Sequence, residues 1–153
     1  MTETKDEQGA RRRPRASSPR GNSTRKTERA ARAAAADEAR KLALVVAAAA
    51  LEKKALAVEI LDVVGKVDYA NFLVLMTGRS NRHVDSLAQE IEAACAKKKR
   101  RALSTEGTSN AAWVLIDFGD VVVHIFQEEA RGLYDIEGLW LDAKRLPVPG
   151  QNP

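Results

Sequence analysis

Two carboxylates close together in the sequence, Glu90 and Glu92, could hold a divalent metal if both pointed at the same ion. Alternate positions on a strand achieve that arrangement. The surrounding residues instead predict a helix, capped by Ser80 or Asn81 and ending near Lys98, because apolar side chains recur every three or four positions. Positions two apart on a helix diverge by about 200° around its axis. We therefore expect neither a metal site nor catalysis from this pair.

The other reactive side chains, His83, His124 and Cys95, are expected to have structural roles. A predicted helix and two predicted strands separate the histidines, and no third ligand stands at metal spacing. Cys95 is the single cysteine, which excludes an internal disulfide and fits a reducing, cytoplasmic setting. The face of the helix predicted to be buried consists of Val84, Leu87, Ala88, Ile91 and Cys95. The sequence thus predicts no metal and no cofactor.

Residues 113–129 are the segment most informative about binding, because they predict a β-hairpin. Two runs of β-branched and aromatic residues flank Gly119 and Asp120, and Gly accepts the positive φ of a tight turn at no steric cost. The first run contains Asp117 and the second contains His124. Burying such side chains on both faces of a strand is unfavourable, so we expect one edge or end of the sheet to meet water or a partner. These features favour a binding protein over an enzyme.

The remaining periodicities predict an α/β architecture: a single domain with a mixed five-stranded sheet flanked by helices. Residues 72–76 are apolar throughout, as in a central strand that is covered on both faces. The predicted order is α-β-β-α-β-β-β-α. Besides the helix that follows Ser80 and the hairpin strands, the predicted segments are a helix over 37–55, strands over 58–63, 72–76 and 101–105, a loop over 106–110 and a helix over 131–140.

Charge and composition divide the chain into three parts. Residues 1–36 hold ten Lys and Arg against four Asp and Glu and almost no bulky apolar residue, so we expect a disordered basic tail. Residues 37–142 form the predicted domain, and residues 143–153 are expected to be a flexible C-terminal tail. Residues 37–153 have a net charge of −2 and residues 1–36 one of +6, so the positive net charge of the chain comes from the N-terminal tail. The apolar run 45–51 is too short for a membrane span.

Four segments of the chain carry a resemblance to a known family. Residues 69–84 read Tyr-Ala-Asn-Phe-Leu-Val-Leu-Met-Thr-Gly-Arg-Ser-Asn-Arg-His-Val, and Glu106-Gly107 follows. Residues 113–126 read Trp-Val-Leu-Ile-Asp-Phe-Gly-Asp-Val-Val-Val-His-Ile-Phe, and residues 129–134 (Glu-Ala-Arg-Gly-Leu-Tyr) lead to Leu139-Trp140. In this order they resemble the ribosomal silencing factor family, also called the Iojap family, over about residues 40–141.

The resemblance implies a translational repressor of the cytoplasm that binds ribosomal protein uL14 on the large ribosomal subunit. Such a protein blocks joining of the small subunit and lowers translation when nutrients are short. It also implies a nucleotidyltransferase-like scaffold, whose enzymes carry Gly-Ser followed by two acids in the pattern acid-apolar-acid. This chain offers Gly78, Ser80 and the pair Glu90 and Glu92, but the pair is predicted on a helix, so we expect a scaffold without its catalytic site.

Five residues are the expected contacts with uL14. A mildly acidic domain complements a basic ribosomal protein, with Trp as a desolvated anchor and carboxylates at its rim. The alternative for Trp113 is a core aromatic at a strand start, and Tyr134 suits packing and contact equally. Asp120 is expected in an exposed turn that tolerates other polar residues. The expected contact residues are Trp113, Glu106, Asp117, Asp120 and Tyr134.

Some features depart from the family or lie outside it. Asn71-Phe72 stands where the family commonly has Asp-Tyr, and residues 97–101 (Lys-Lys-Lys-Arg-Arg) replace a short turn that usually contains Gly. The basic runs 11–15 and 97–101 could bind rRNA phosphate, as in an RNA-binding ribosome assembly factor, although cations also suit the end of a helix. The sequence leaves open whether the chain forms a homodimer.

Overall fold

The computed structural model describes residues 21–107, 112–134, 138 and 142–151. Contacts between Cα atoms divide the chain into residues 1–35 and residues 36–153. The larger unit holds a six-stranded sheet and confirms the expected mixed α/β domain. Within the described residues, no helix combines the length and apolar character needed to cross a bilayer.

Helix α1 spans Gly21–Glu52 and begins well before the expected start at Asp37. Residues 21–36, predicted to be disordered, are therefore helical, whereas residues 1–20 lie outside the described part. Residues 24–35 are exposed throughout, which agrees with their lack of bulky apolar side chains. The prediction underweighted the strong helix propensity of Ala and Arg, and a helix that has already nucleated extends at little further cost.

The sheet has the strand order β3-β4-β5-β2-β1-β6. Strands β2 and β5 lie at its centre and run parallel, and every other neighbouring pair is antiparallel. All seven residues of β2 are buried, which confirms that it is covered on both faces. The strands are β1 Leu56–Asp62, β2 Phe72–Gly78, β3 Ser104–Glu106, β4 Trp113–Asp117, β5 Val121–Gln127 and β6 Lys144–Leu146.

The sixth strand corrects the prediction of a flexible tail over residues 143–153. Strand β6 pairs antiparallel with β1, with Leu146 opposite Ile60. Beyond β6, the side-chain amide of Gln151 forms two hydrogen bonds with the backbone of Val58. Its oxygen accepts from the N–H and its nitrogen donates to the C=O, each at 2.8 Å. Three residues are too few to show an alternating pattern, so β6 could not be predicted from the sequence alone.

Two further boundaries differ from the predictions. Strand β3 begins at Ser104 rather than Arg101 and includes Glu106, which was expected in a loop. Helix α3 spans Glu128–Tyr134 and begins before the predicted start at Arg131. Of the predicted loop over 106–110, residues 108–110 lie outside the described part, and so does most of the predicted helix beyond residue 134.

Helices α1 and α2 cover one face of the sheet. Helix α2 spans Asn81–Lys97 and is capped by Ser80, whose side chain accepts a hydrogen bond from the backbone N–H of His83. Its buried residues are the five that the sequence predicted: Val84, Leu87, Ala88, Ile91 and Cys95. They pack in one apolar cluster with buried residues of α1, such as Val46, and with the helix-facing residues of the strands, such as Val74.

His83 links the start of α2 to the end of α1. Its Nδ1 accepts from the backbone N–H of Arg79 at 2.9 Å, and its Nε2 lies 2.7 Å from the carbonyl oxygen of Lys53. A neutral ring with the proton on Nε2 satisfies both contacts. His83 therefore has a structural role, as the sequence led us to expect.

Gly78 is the point where the end of β2 approaches α2 most closely. A Cβ atom there would lie 2.9 Å from Cγ2 of Val84 and 3.1 Å from its backbone nitrogen. We predict that Gly78→Ala destabilises the fold by about 1–3 kcal/mol, because the backbone of α2 must shift to make room. Urea unfolding measures the effect.

Gly132→Ala is the matched control, because a Cβ at this position in α3 has no atom within 4 Å. It should be neutral or stabilising by up to about 1 kcal/mol, since Ala favours a helix over Gly. Equal stability of the two variants would contradict the close approach at Gly78.

Candidate partner-binding surface

The turn at Gly119 and Asp120 sets which side chains of the hairpin lie opposite each other. Gly119 has φ +96°, a left-handed conformation that Gly adopts without strain, and the N–H of Phe118 donates to the carbonyl of Val121 at 2.9 Å. The confirmed hairpin then pairs Trp113 with Phe126. A one-residue slip would exchange the two faces of the strand, so this short turn determines which surface receives Trp113.

The face of the sheet away from α1 and α2 carries a second group of side chains, which we call the aromatic face. It consists of Trp113 and Leu115 on β4 and of His124 and Phe126 on β5. His124 and Phe126 are buried, while Trp113 and Leu115 are half-buried and pack against an apolar cluster that includes Leu73 and Leu75. This face therefore continues from buried side chains on β5 to half-buried side chains on β4.

Trp113 is held in place by two neighbours on β5. Its ring stacks on Phe126 with centroids 5.3 Å apart and an interplanar angle of 26°. Its indole Nε1–H donates to Nδ1 of His124 at 3.1 Å, so the imidazole must be unprotonated at that nitrogen. Trp113 therefore packs partly in the core, as the alternative interpretation of this residue proposed. Part of its side chain remains exposed.

His124 is kept neutral by its surroundings. Its side chain is 8% exposed, and burial lowers its pKa from 6.5 to about 4. Burial disfavours the charged imidazolium, and the contact with the indole N–H requires an acceptor rather than a donor. The sequence predicted that the polar side chain of His124 would need contact with water or a partner. The indole N–H of Trp113 provides its hydrogen bond instead, and β5 is buried on both faces.

Two of the expected acidic contacts lie beside the aromatic face. Glu106 on β3 is directly opposite Leu115, so it shares that face and is exposed. It lies diagonal to Trp113, a relation that places side chains about 7–8 Å apart. Asp117 lies further along β4 on the same face, half-buried, and its Oδ1 accepts from the backbone N–H of Gly119 at 2.8 Å.

Asp120 lies apart from Trp113, at the far end of the hairpin. Its Oδ1 accepts from the guanidinium of Arg100 at 2.5 Å, and its backbone carbonyl accepts from the N–H groups of Asn71 and Phe72. The expectation of an exposed turn is therefore wrong for Asp120, whose side chain is partly buried against Arg100. No local pattern predicts this bond, because Arg100 lies in a different element. The contact of Asp120 with a partner stays a prediction.

Tyr134 is the last residue of α3, and its side chain lies outside the described part, so its contact role stays a prediction. The helix itself is anchored to the sheet by Arg131. Its Nη1 donates to the carbonyl of Ala57 at 2.7 Å and to the hydroxyl of Thr77 at 2.8 Å, and its Nη2 lies 3.8 Å from Glu59. The Arg131 side chain is only 12% exposed, and these bonds compensate the cost of removing its charged guanidinium from water.

Leu115, His124 and Phe126 belong to this surface but were not among the predicted contacts. The signal was present in the sequence, because a two-residue turn at Gly119 and Asp120 pairs position 113 with 126 and position 115 with 124. Counting outward from the turn would have shown that Trp113 faces an aromatic ring. No count along one strand could show the bond between Trp113 and His124, which depends on the rotamers of both.

The features that could suggest an enzyme do not come together. Glu90 and Glu92 lie on helix α2, as predicted, and Glu92 accepts from the hydroxyl of Thr105 at 2.7 Å. A cavity of about 230 Å³ beside Glu92 is lined by both polar and apolar side chains, among them Asp85, Gln89 and Val114. Among the described residues, no three His, Cys, Asp or Glu side chains are grouped to hold a metal ion.

Comparison with known proteins identifies relatives of the whole folded unit. A family model described as "Ribosomal silencing factor during starvation" matches residues 36–153. The chain is 36% identical over 99 residues to a ribosomal silencing factor of Halalkalibacterium halodurans, covering 65% of this chain and 85% of that protein. It is 33% identical over 107 residues to the chloroplastic protein Iojap of Zea mays, covering 70% of this chain and 46% of that protein.

Solved structures agree with these matches. A crystal structure of a Chromobacterium violaceum protein aligns with a TM-score of 0.66 and 30% identity, covering 75% of this chain and 89% of that chain. One from Bacillus halodurans aligns with a TM-score of 0.64 and 31% identity, covering 71% of this chain and 99% of that chain. The fold of residues 36–153 is therefore that of these proteins.

The lowered pKa of His124 has a consequence for stability that urea unfolding at several pH values can measure. The unfolded imidazole takes up a proton near pH 6.5 and the folded one only near pH 4, so its contribution is complete above pH 6.5. We predict that it declines as the pH falls through this window, by about 3 kcal/mol at pH 4 and below.

His124→Leu removes the titrating group and is the comparison that isolates it. The variant should lose less stability than the parent between pH 7 and pH 4.5, whatever its stability at neutral pH. Parallel curves for the two proteins would show that the imidazole of His124 does not govern the loss.

Proposed function

The chain belongs to the ribosomal silencing factor family, and from that premise we propose that it represses translation by occupying the large ribosomal subunit. In this proposal the folded unit binds ribosomal protein uL14 and excludes the small subunit by steric occlusion, in the cytoplasm and under nutrient limitation. It needs no cofactor and catalyses no reaction. The observation that carries the proposal is the aromatic face with its acidic rim.

The physical case for a protein partner rests on how Trp113 is presented. Its ring is stacked on Phe126 and hydrogen-bonded to His124, so it is fixed before any partner arrives. A rigid aromatic side chain loses little conformational entropy on binding, and such side chains are frequent hot spots of interfaces. Because Trp113 and Leu115 are both half-buried, each still has apolar surface that a partner could cover.

Charge supports a basic partner at the same surface. Glu106 is exposed, and Asp117 lies on the same face of the neighbouring strand, so the rim of the aromatic face is acidic. Carboxylates at the rim of an interface pair with Lys or Arg and mainly improve the rate and specificity of association. A ribosomal protein rich in Lys and Arg fits these requirements better than an acidic or neutral protein does.

The edge position of the surface also suits an occluding protein. Strand β3 has only three residues and forms one edge of the sheet, and all three are exposed. Within the described part of the chain, the side of β3 and β4 therefore offers a partner an approach to the aromatic face. The bulk of α1 and α2 lies on the opposite face of the sheet, where it would remain exposed as the obstructing body.

The first test of the proposal is subunit joining. Purified protein added to separated ribosomal subunits should lower the yield of joined ribosomes in proportion to the fraction of large subunits occupied. Sucrose-gradient sedimentation measures both quantities, and no nucleotide or metal should be required. Normal joining with the large subunit saturated would refute occlusion.

The second test concerns the surface. Trp113→Ala should weaken binding to isolated uL14 by about 2 kcal/mol or more, roughly thirtyfold, because it removes the proposed anchor. It also removes the donor to His124, so circular dichroism and urea unfolding must accompany the binding measurement. Full binding by a folded Trp113→Ala protein would return Trp113 to a packing role alone.

Glu106→Lys provides a variant that leaves the core intact, because Glu106 is exposed on an edge strand. Reversing its charge should weaken binding to basic uL14 and make the remaining affinity less sensitive to salt. Glu52→Lys is the matched control: it reverses the same charge at the exposed end of α1, in the helical layer on the other face of the sheet. Equal losses from both variants would indicate a general effect of charge.

A further inference from the structure

The end of the sheet where β2 and β5 begin carries a surface that the proposed uL14 contact does not use. The carbonyl of Asp120 accepts from Asn71, and its carboxylate accepts from Arg100, so three loops meet there. They are the connection from β1 to β2, the hairpin turn and the segment that follows α2. We call the surface formed by Tyr69 and residues 97–101 the basic end.

Residues 97–101 are five consecutive cations, and one of them is used internally. Arg100 pairs with Asp120 and donates to the carbonyl of Phe118. Lys97, Lys98, Lys99 and Arg101 are exposed, and none of these four takes part in an ion pair within the described part of the chain. Four solvent-exposed cations within five residues repel one another unless an anion lies close.

The end of a helix does not account for this run. The favourable interaction of cations with the helix dipole falls off within the last turn, and Lys97 is the basic residue of that turn. Lys99 lies beyond it with φ +64°, a left-handed conformation in which Gly would be less strained. This conformation belongs to the end of the helix, because the N–H groups of Lys99 and Arg100 bond to the carbonyls of Ala96 and Cys95. The cations beyond Lys97 therefore need a reason other than the helix dipole.

An exposed aromatic side chain lies at the same end of the sheet as these cations. Tyr69 is 60% exposed and lies two residues before Asn71, whose N–H bonds to the turn that Arg100 also contacts. The other large hydrophobic side chains exposed among the described residues, Val64 and Leu103, flank the same end of the sheet. Cations beside an exposed aromatic ring are the arrangement that binds single-stranded nucleic acid, with phosphates on the cations and a base stacked on the ring.

We propose that the basic end binds a single-stranded or looped segment of RNA, with phosphates at Lys98, Lys99 and Arg101 and a base on Tyr69. The proposal extends the ribosomal role proposed above, since the large subunit presents rRNA beside its proteins. It concerns a different surface, so it can fail or succeed independently of the uL14 contact.

The experiment measures the affinity of the full chain for a labelled single-stranded RNA between about 50 and 200 mM salt. The test variant combines Lys98→Ser, Lys99→Gly and Arg101→Ser, and it keeps Arg100 for its bond to Asp120. Removing three phosphate contacts should reduce the slope of log affinity against log salt by about 2. The basic N-terminal residues are present in every variant and contribute equally to each.

A charge-matched control lies at the other end of α2. It combines Lys53→Ser, Lys54→Gly and Arg82→Ser, which remove three exposed cations and also place Gly at a left-handed Lys, since Lys54 has φ +63°. The two groups are separated by the length of α2, about 25 Å for its 17 residues. The control should bind the RNA with nearly the parental salt slope.

Tyr69→Leu tests the stacking part of the proposal, because it keeps an apolar side chain and removes the ring. We expect affinity for the RNA to fall about fivefold or more, the lower end of what base stacking contributes. Trp113→Ala should retain parental affinity for the RNA, which separates this surface from the proposed uL14 contact.

Three outcomes would overturn the proposal. Equal losses from the two charge variants would mean that total charge alone attracts RNA. Parental RNA affinity in both the triple variant and Tyr69→Leu would mean that RNA is not bound at the basic end. Weaker binding of the triple variant to the large subunit, with RNA affinity unchanged, would assign the surface to a protein.

Discussion

The tight turn at Gly119 and Asp120 is the constraint on which the rest of the structure depends. It fixes the register of β4 on β5, and it also joins three parts of the chain that are distant in sequence. The backbone carbonyl of Asp120 accepts a hydrogen bond from the N–H of Asn71, just before β2. Its carboxylate accepts one from the guanidinium of Arg100, which follows α2. Asp117 closes the turn from within by accepting from Gly119. One local conformation therefore positions the central strands, the end of α2 and the surface that carries Trp113.

Because β2 and β5 are buried on both faces, the sheet needs two covers, and the second one contains polar groups. On the helical side the buried described residues that meet the strands are apolar, and the hydrogen bond between Thr105 and Glu92 lies at the exposed margin. On the other side His124 is kept neutral and accepts from Trp113, while Arg131 donates to a carbonyl and a hydroxyl to anchor α3. Each of these polar groups has a partner, so the face is ordered without being purely apolar. That order presents Trp113 in one orientation to a partner.

The sequence predicted the parts of the fold that follow from local periodicity and turn chemistry. The buried face of α2, the fully buried β2 and the hairpin about Gly119 all express a pattern that a short window contains. The sequence did not predict β6, whose three residues are too few for a pattern and whose place depends on pairing with β1. The sequence did not predict the helix over residues 21–36, because the lack of bulky apolar residues there indicates only that the segment forms no core. Helix propensity is a local property and does not require a core.

The same limit applies to the candidate site, where the sequence identified residue types but could not identify their partners. Glu106, Asp117 and Asp120 were equivalent as acids near a hairpin, and the structure makes them different. Asp117 accepts from Gly119, and Asp120 accepts from Arg100, so either would have to share or give up an internal bond to meet a partner. Hydrogen bonds to charged groups contribute about 1.5–3 kcal/mol each, so giving one up is unfavourable. Glu106 is exposed beside Trp113 and has no such bond to lose within the described part of the chain, which makes it the acid best placed to pair with a basic partner.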